Sequence, residues 1–104
     1  LCIRFNSLMS NSASSQTAYD YLITLFTQSQ DKAFITEVMA ALLTEKEQKE
    51  IANRIQIFSL FQQGLPQREI AERLGVGIAT VSRGAKAYTQ HNVDRLLPNL
   101  TEKF

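Results

Sequence analysis

The stretch Gln67 to Ser82, QREIAERLGVGIATVS, constrains this chain more than any other. Ile70, Ala71 and Leu74 recur at helical spacing, the run breaks at Gly75-Val76-Gly77, and a second helical run follows with Ile78 and Val81 inward. Glycine supplies the left-handed backbone that a sharp turn needs, and small Ala71 lets two helices cross closely. The spacing predicts helix, turn, helix, with Ile70, Leu74, Val76 and Val81 filling the wedge between them. On the outer side of the second helix, Gly77, Ala79, Thr80 and Ser82 are small or hydroxylated. Such a surface can enter a DNA groove about 12 Å wide and offer donors to base edges or phosphates. An αα-hairpin that merely packs is the plain structural alternative.

Charge favours the first reading. Residues 1 to 66 carry five basic and six acidic groups, whereas residues 67 to 104 carry six and four. From Arg73 to Val93 there are Arg73, Arg83 and Lys86 and no acidic residue, so the second helix meets a polyanion without repulsion of its own.

The rest of the chain reads as helices. From Thr17 to Ser29 the apolar residues Ala18, Tyr19, Tyr21, Leu22, Ile23, Leu25 and Phe26 cover most of a helix's circumference instead of one stripe. A chain of 104 residues has little interior for such a helix. The expected host is therefore a second subunit in an intertwined dimer. Asp31 can cap a second helix bearing Phe34, Ile35, Val38, Met39 and Leu42 and ending near Leu43. Thr44-Glu45-Lys46-Glu47 has the form of a capping box. It opens a third helix through Ile51, Ala52, Ile55, Phe58 and Phe61 that stops at Gly64 and is expected to be the longest. Val93, Leu96, Leu97 and Leu100 form a last short amphipathic helix, disturbed by Pro98, with a role in dimer packing. No period-two alternation bounded by turns occurs, so the fold class is all-α.

Composition excludes several classes. Four Gly, two Pro and 20% charged residues suit neither a disordered nor a collagen-like chain. The longest apolar run, Val38 to Leu43, falls far short of the roughly twenty residues that span a bilayer. Cys2 is the single cysteine and His91 the single histidine, so neither a disulfide framework nor a zinc site is expected. His91 reads as a solvated connector residue. No nucleophile and base pair, phosphate loop or metal-ligand set supports an enzyme. Leu1-Cys2-Ile3-Arg4-Phe5 precedes the first methionine, Met9, and contains no signal-peptide apolar run. The expected natural start is Met9, with residues 1–8 an over-extended frame, and the expected location is the cytoplasm. Small polar residues 10 to 16 read as a flexible arm. The chain is thus expected to divide into an arm over 1–15 and one domain over 16–104.

The run Gly77-Ile78-Ala79-Thr80-Val81-Ser82-Arg83-Gly84, with Gln67-Arg68-Glu69 before it and Thr44 and Arg54 upstream, resembles the tryptophan repressor family. The resemblance is strongest from Leu42 to Tyr88. It implies an intertwined all-helical dimer of six helices per chain, with L-tryptophan as effector and no other cofactor. By the same resemblance, Arg83 would take the ligand carboxylate with help from Thr44, and Arg54 would lie on the other side of the indole. A guanidinium suits both roles, since it pairs with carboxylates and stacks on aromatic faces. An ion pair with Glu50 is the structural alternative for Arg54. The resemblance further implies that the carbonyls of Ala41 and Leu43 accept from the ligand's amino group and that Ile57 and Phe58 wall the pocket. Gly84, in mid-helix at a cost of roughly 1 kcal/mol against alanine, would serve close approach of a ligand or of another helix. Ala87 stands where the family usually has a serine that holds the amino group, and Phe58 is bulkier than the aliphatic residue expected there.

DNA contacts implied by the resemblance fall on Gln67, Arg68, Ile78, Ala79, Thr80, Ser82 and the backbone near Gly75 to Gly77, with Lys86 adding a cation to the same helix. Arg68 is the best candidate for a bidentate contact to guanine, and Thr80 and Ser82 suit phosphates or waters. Leu65-Pro66 replaces a slightly longer linker with a capping serine, and proline still suits a helix start. The expected function is a homodimeric, ligand-dependent transcriptional repressor, controlling tryptophan biosynthesis or uptake genes, that binds operator DNA when L-tryptophan is bound. A helix-turn-helix paralogue with another effector or none, and a helical module that docks protein rather than DNA, remain the other two readings.

Overall fold

Six α-helices make up the computed structural model, which describes residues 11–104. They are α1 (Asn11–Gln28), α2 (Lys32–Leu42), α3 (Glu45–Gln62), α4 (Gln67–Leu74), α5 (Ile78–Gln90) and α6 (Val93–Leu96), followed by a 3-10 turn at Leu100–Glu102. No strand occurs among the described residues, as the all-α expectation requires. The chain divides into two units, one up to Leu42 and one Leu43–Phe104.

In the first unit, α1 already begins at Asn11, so residues 11–16 are helical where the sequence suggests a flexible arm. Neither Gly nor Pro interrupts this segment, and each residue added to an existing helix gains a hydrogen bond for one residue fixed. With 18 residues, α1 equals α3 in length, so the third helix is not the longest by itself. The expected start at Met9, the segment 1–8 and Cys2 lie outside the described residues. At the start of α2, the Ala33 amide donates to the Asp31 carboxylate at 3.0 Å, the cap expected there. None of the residues of α2 is buried. Tyr19, Tyr21 and Ile23 on α1, and Phe34 and Leu42 on α2, stay exposed in the single chain.

The second unit opens on a complete capping box. The Glu47 amide donates to the Thr44 hydroxyl at 3.1 Å, and the Thr44 amide donates to the Glu47 carboxylate at 2.9 Å. Helix α3 ends before Gly64, whose φ of +86° is the left-handed turn that frees the chain to reverse. Pro66, with φ −75°, then precedes α4. Gly75, with φ +67°, ends α4 and starts the turn into α5.

Two apolar clusters hold this unit together. Ile57, Leu60, Ile70 and Val81 form the first, with Phe61, Leu65, Ala71, Leu74 and Val76 around them. Ile57, Ile70 and Val81 are fully buried, and each contributes roughly 1.5–3 kcal/mol by leaving water. The wedge read from the sequence is thus formed, with one correction: Ile78 is 52% exposed, because it opens α5 at the outer edge of the turn. Phe58, Val93 and Leu100 form the second cluster, with Ile55, Ala87 and Tyr88 against it. Tyr88 packs on two phenylalanine rings of α3, its centroid 5.9 Å from that of Phe58 and 5.3 Å from that of Phe61.

The end of the chain differs from the single amphipathic helix expected. Helix α6 has four residues, and Val93 and Leu100 turn inward onto Phe58 while Leu96 and Leu97 are exposed. Pro98 lacks the amide that would continue the helix. The Gln62 side chain instead holds the segment from α3: its Nε2 donates to the Leu97 carbonyl, and its Oε1 accepts from the Leu100 amide, both at 2.8 Å.

Candidate functional site

Between α3 and the start of α5 lies an open cavity of about 520 Å³. Helix α3 contributes Glu50, Asn53, Arg54 and Ile57, which recur at helical spacing on one face. The turn contributes Val76 and Gly77, and α5 contributes Thr80 and Arg83. Arg83 Nη2 donates to the Thr80 hydroxyl at 3.3 Å, which steadies the guanidinium over the first turn of α5. The one ion pair among the described residues joins Arg73 to Glu69 at 3.1 Å. Arg54 therefore forms no ion pair with Glu50, and both cationic groups at the cavity are available to an anion. Ile57 supplies the apolar floor.

Gly84 explains how α3 and α5 come this close. A Cβ built on it stands 2.9 Å from Ile57 Cγ2, so the mid-helix glycine serves the approach of two helices. Two residues expected near a ligand belong to the second cluster: Phe58 is buried in it and Ala87 packs against it. The Thr44 hydroxyl oxygen accepts from the Glu47 amide in its helix cap, which leaves its O–H as a donor. The Leu43 carbonyl accepts from Gln48 Nε2 at 3.2 Å. Leu43 lines a second, shallower hollow of about 400 Å³ that shares Glu50 and Arg54 with the first. Ala41 belongs to α2 and is exposed. Sequence reasoning did not select Asn53 or Val76 as site residues, and it considered Glu50 only as a partner for Arg54. Their signal was the helical register around Arg54 and the place of Val76 between the two glycines.

The outer face of the helix pair is polar and positive. Gln67, Arg68, Ile78, Ala79, Ser82 and Lys86 are exposed, as are Gly75 and Gly77, and Thr80 is half-buried at the cavity edge. No side chain caps the first turn of α5, which begins after Gly77. The Ser82 hydroxyl donates to Gln67 Oε1 at 2.8 Å, tying the start of α4 to the middle of α5. Two of the expected DNA contacts thus also brace each other.

A family model described as Trp repressor protein matches residues 17–97, which takes in the cavity and the whole helix-turn-helix. The chain belongs to the Trp repressor family. This is a family of transcriptional regulators, not of enzymes. Among similar proteins, a Trp operon repressor homolog of Chlamydia trachomatis serovar D is 34% identical over 73 residues, 69% of this chain and 78% of the relative. One of Aliivibrio fischeri strain MJ11 is 32% identical over 84 residues, 80% and 77% of the two chains. One of Xylella fastidiosa strain M23 is 28% identical over 85 residues, 81% and 92% of the two. No solved structure gives a significant match. Among the described residues of this Trp repressor family member, no helix is long and apolar enough to cross a membrane. No cluster of three or more His, Cys, Asp or Glu residues stands ready for a metal ion among them.

Proposed function

We propose that this chain is a repressor that binds operator DNA as a homodimer when L-tryptophan occupies the cavity between α3 and α5. The observation that carries this reading is that one wall of the cavity is the reading head itself. Gly77, Thr80 and Arg83 belong to the turn and the first turns of α5, while Arg54 and Ile57 belong to the supporting helix α3. A planar ligand between Arg54 and Arg83 offers its ring to guanidinium stacking and its carboxylate to a charged donor. It thereby ties the angle of α5 to α3.

The regulatory consequence is thermodynamic. If the ligand binds the DNA-ready arrangement more tightly, DNA tightens ligand binding by the same factor. The unburied apolar surface of α1 and α2 supports the dimer, since Tyr19, Tyr21, Ile23, Phe34 and Leu42 would otherwise face water. Two such heads present their second helices to major grooves one helical turn apart, about 34 Å.

The chain has no tryptophan, so emission of L-tryptophan reports binding without background. Titration should give a saturable shift at one ligand per subunit. Selection of bound duplexes from a random pool should then enrich a two-fold symmetric site in the presence of L-tryptophan alone. Operator enrichment that is indifferent to the amino acid would replace this reading by a paralogue with another effector, to which apolar Ala87 points. Absence of any duplex enrichment would favour the protein-docking module.

A further inference from the structure

We propose that Ser82 acts on DNA through Gln67: its hydroxyl holds the Gln67 side chain by the oxygen, and the Gln67 amide nitrogen, not the hydroxyl, takes a phosphate oxygen of the duplex. The inference rests on the proposed repressor function and deepens it, by separating a contact residue from a positioning residue on the outer face of the helix pair. Ser82 Oγ donates to Gln67 Oε1 at 2.8 Å, across a separation of 15 positions in the chain. This is the single side-chain hydrogen bond between α4 and α5 among the described residues. Both residues are exposed on the polar, positive face.

Proton count decides which of the two can meet a phosphate. A hydroxyl has one proton to donate, and a phosphate oxygen only accepts. While Ser82 donates to Gln67, it has no proton left for the backbone of a duplex. Gln67 keeps both protons on Nε2, and neither meets an acceptor among the described residues. An amide whose oxygen accepts a hydrogen bond is polarised, which makes its N–H a stronger donor. The bond therefore aims Gln67 and strengthens it without using a donor of the amide. It also removes in advance part of the side-chain freedom that an exposed glutamine would lose on meeting DNA. Arg68, the next residue of α4, is exposed and enters no ion pair among the described residues, so the amide stands beside a cation that draws the same backbone. The packing of α4 on α5 does not depend on this bond, since Ile70 and Val81 are fully buried in the cluster between them.

The test measures binding of a labelled duplex, taken from the pool selection in L-tryptophan, by fluorescence anisotropy. It compares wild type with Ser82→Ala, Gln67→Ala, the double variant, Gln67→Glu and Ser82→Thr. Gln67→Ala should weaken the duplex about tenfold and Ser82→Ala about threefold. The double variant should bind like Gln67→Ala, because no amide is left for Ser82 to aim. Gln67→Glu still accepts from Ser82 but has no N–H to give, so it should bind no better than Gln67→Ala. Ser82→Thr keeps the hydroxyl and should restore wild-type affinity. L-tryptophan titrations should match wild type throughout. Losses that multiply in the double variant would mean that Ser82 touches DNA itself and would overturn the proposal, as would wild-type affinity in Ser82→Ala. An equal loss of L-tryptophan affinity in Ser82→Ala would mark a merely structural role and overturn it too. If wild type binds no duplex, the proposed function fails and this inference falls with it.

Discussion

Gly84 and Ile57 meet where α5 passes over α3, and a Cβ on Gly84 would stand 2.9 Å from Ile57 Cγ2. Alanine normally gains about 1 kcal/mol over glycine inside a helix. Here overpacking costs about 1–3 kcal/mol, so Gly84→Ala should lower stability by about 1 kcal/mol. Introduced into an Ile57→Ala background, where Cγ2 is gone, the same change should become stabilising. Urea unfolding of the four proteins measures this reversal of sign.

Arg68 and Lys86 are exposed and enter no ion pair among the described residues. If both meet phosphates, changing either to Ala should weaken duplex binding and flatten the log-log salt dependence by about 0.9. Arg83→Ala should act differently: it should leave the salt slope near wild type and abolish the response to L-tryptophan. Fluorescence anisotropy with a labelled duplex, at several salt concentrations with and without the amino acid, separates the two effects.

Tyr88 donates a hydrogen bond to Asp94, and its pKa is pushed up from 10.0 to about 12, first by burial and then by the Asp94 carboxylate. A raised folded-state pKa means that the neutral phenol is what the fold favours. Its contribution is complete below pH 10 and is lost as pH rises from about 10 to about 12. Stability should therefore fall across that window, and Tyr88→Phe should remove this part of the slope. Denaturant midpoints at pH 8, 10 and 11.5 give the comparison.

Gln62 is the clasp for the end of the chain, with one side chain serving both the Leu97 carbonyl and the Leu100 amide. Gln62→Ala should cost about 1–2 kcal/mol. It should speed hydrogen exchange at the Leu100 amide well beyond the change at Ile57, deep in the other cluster. Equal acceleration at both positions would mean that the clasp acts on global stability alone.

Much of this architecture was legible along the chain because it rests on local chemistry. The Thr44 capping box, the Asp31 cap, the left-handed Gly64 and Gly75 and the wedge of Ile70, Leu74, Val76 and Val81 each depend on residues within a few positions of one another. Such short-range hydrogen bonds and steric rules act before the chain has any global shape. The start of α1, at Asn11, departs from its local pattern. Serine and asparagine prefer caps and turns in isolation, yet they extend a helix once a neighbouring segment has nucleated it.

Tertiary structure decided which further residues share the cavity with Arg54, Ile57 and Arg83, the three that the family resemblance implies there. The pairing of Arg54 with Arg83 across a gap of 28 intervening residues, and the inclusion of Glu50 and Asn53, depend on how closely α5 settles on α3. That distance is set by Gly84 against Ile57. The same packing drew Phe58 and Ala87 away to the cluster with Val93 and Leu100, because burying apolar side chains there removes more surface from water than lining an open cavity. From the sequence by itself came the helices, their caps and the turn of the reading head. Long-range close packing, which no local pattern encodes, determined which side of each helix faces the ligand cavity and which faces the core.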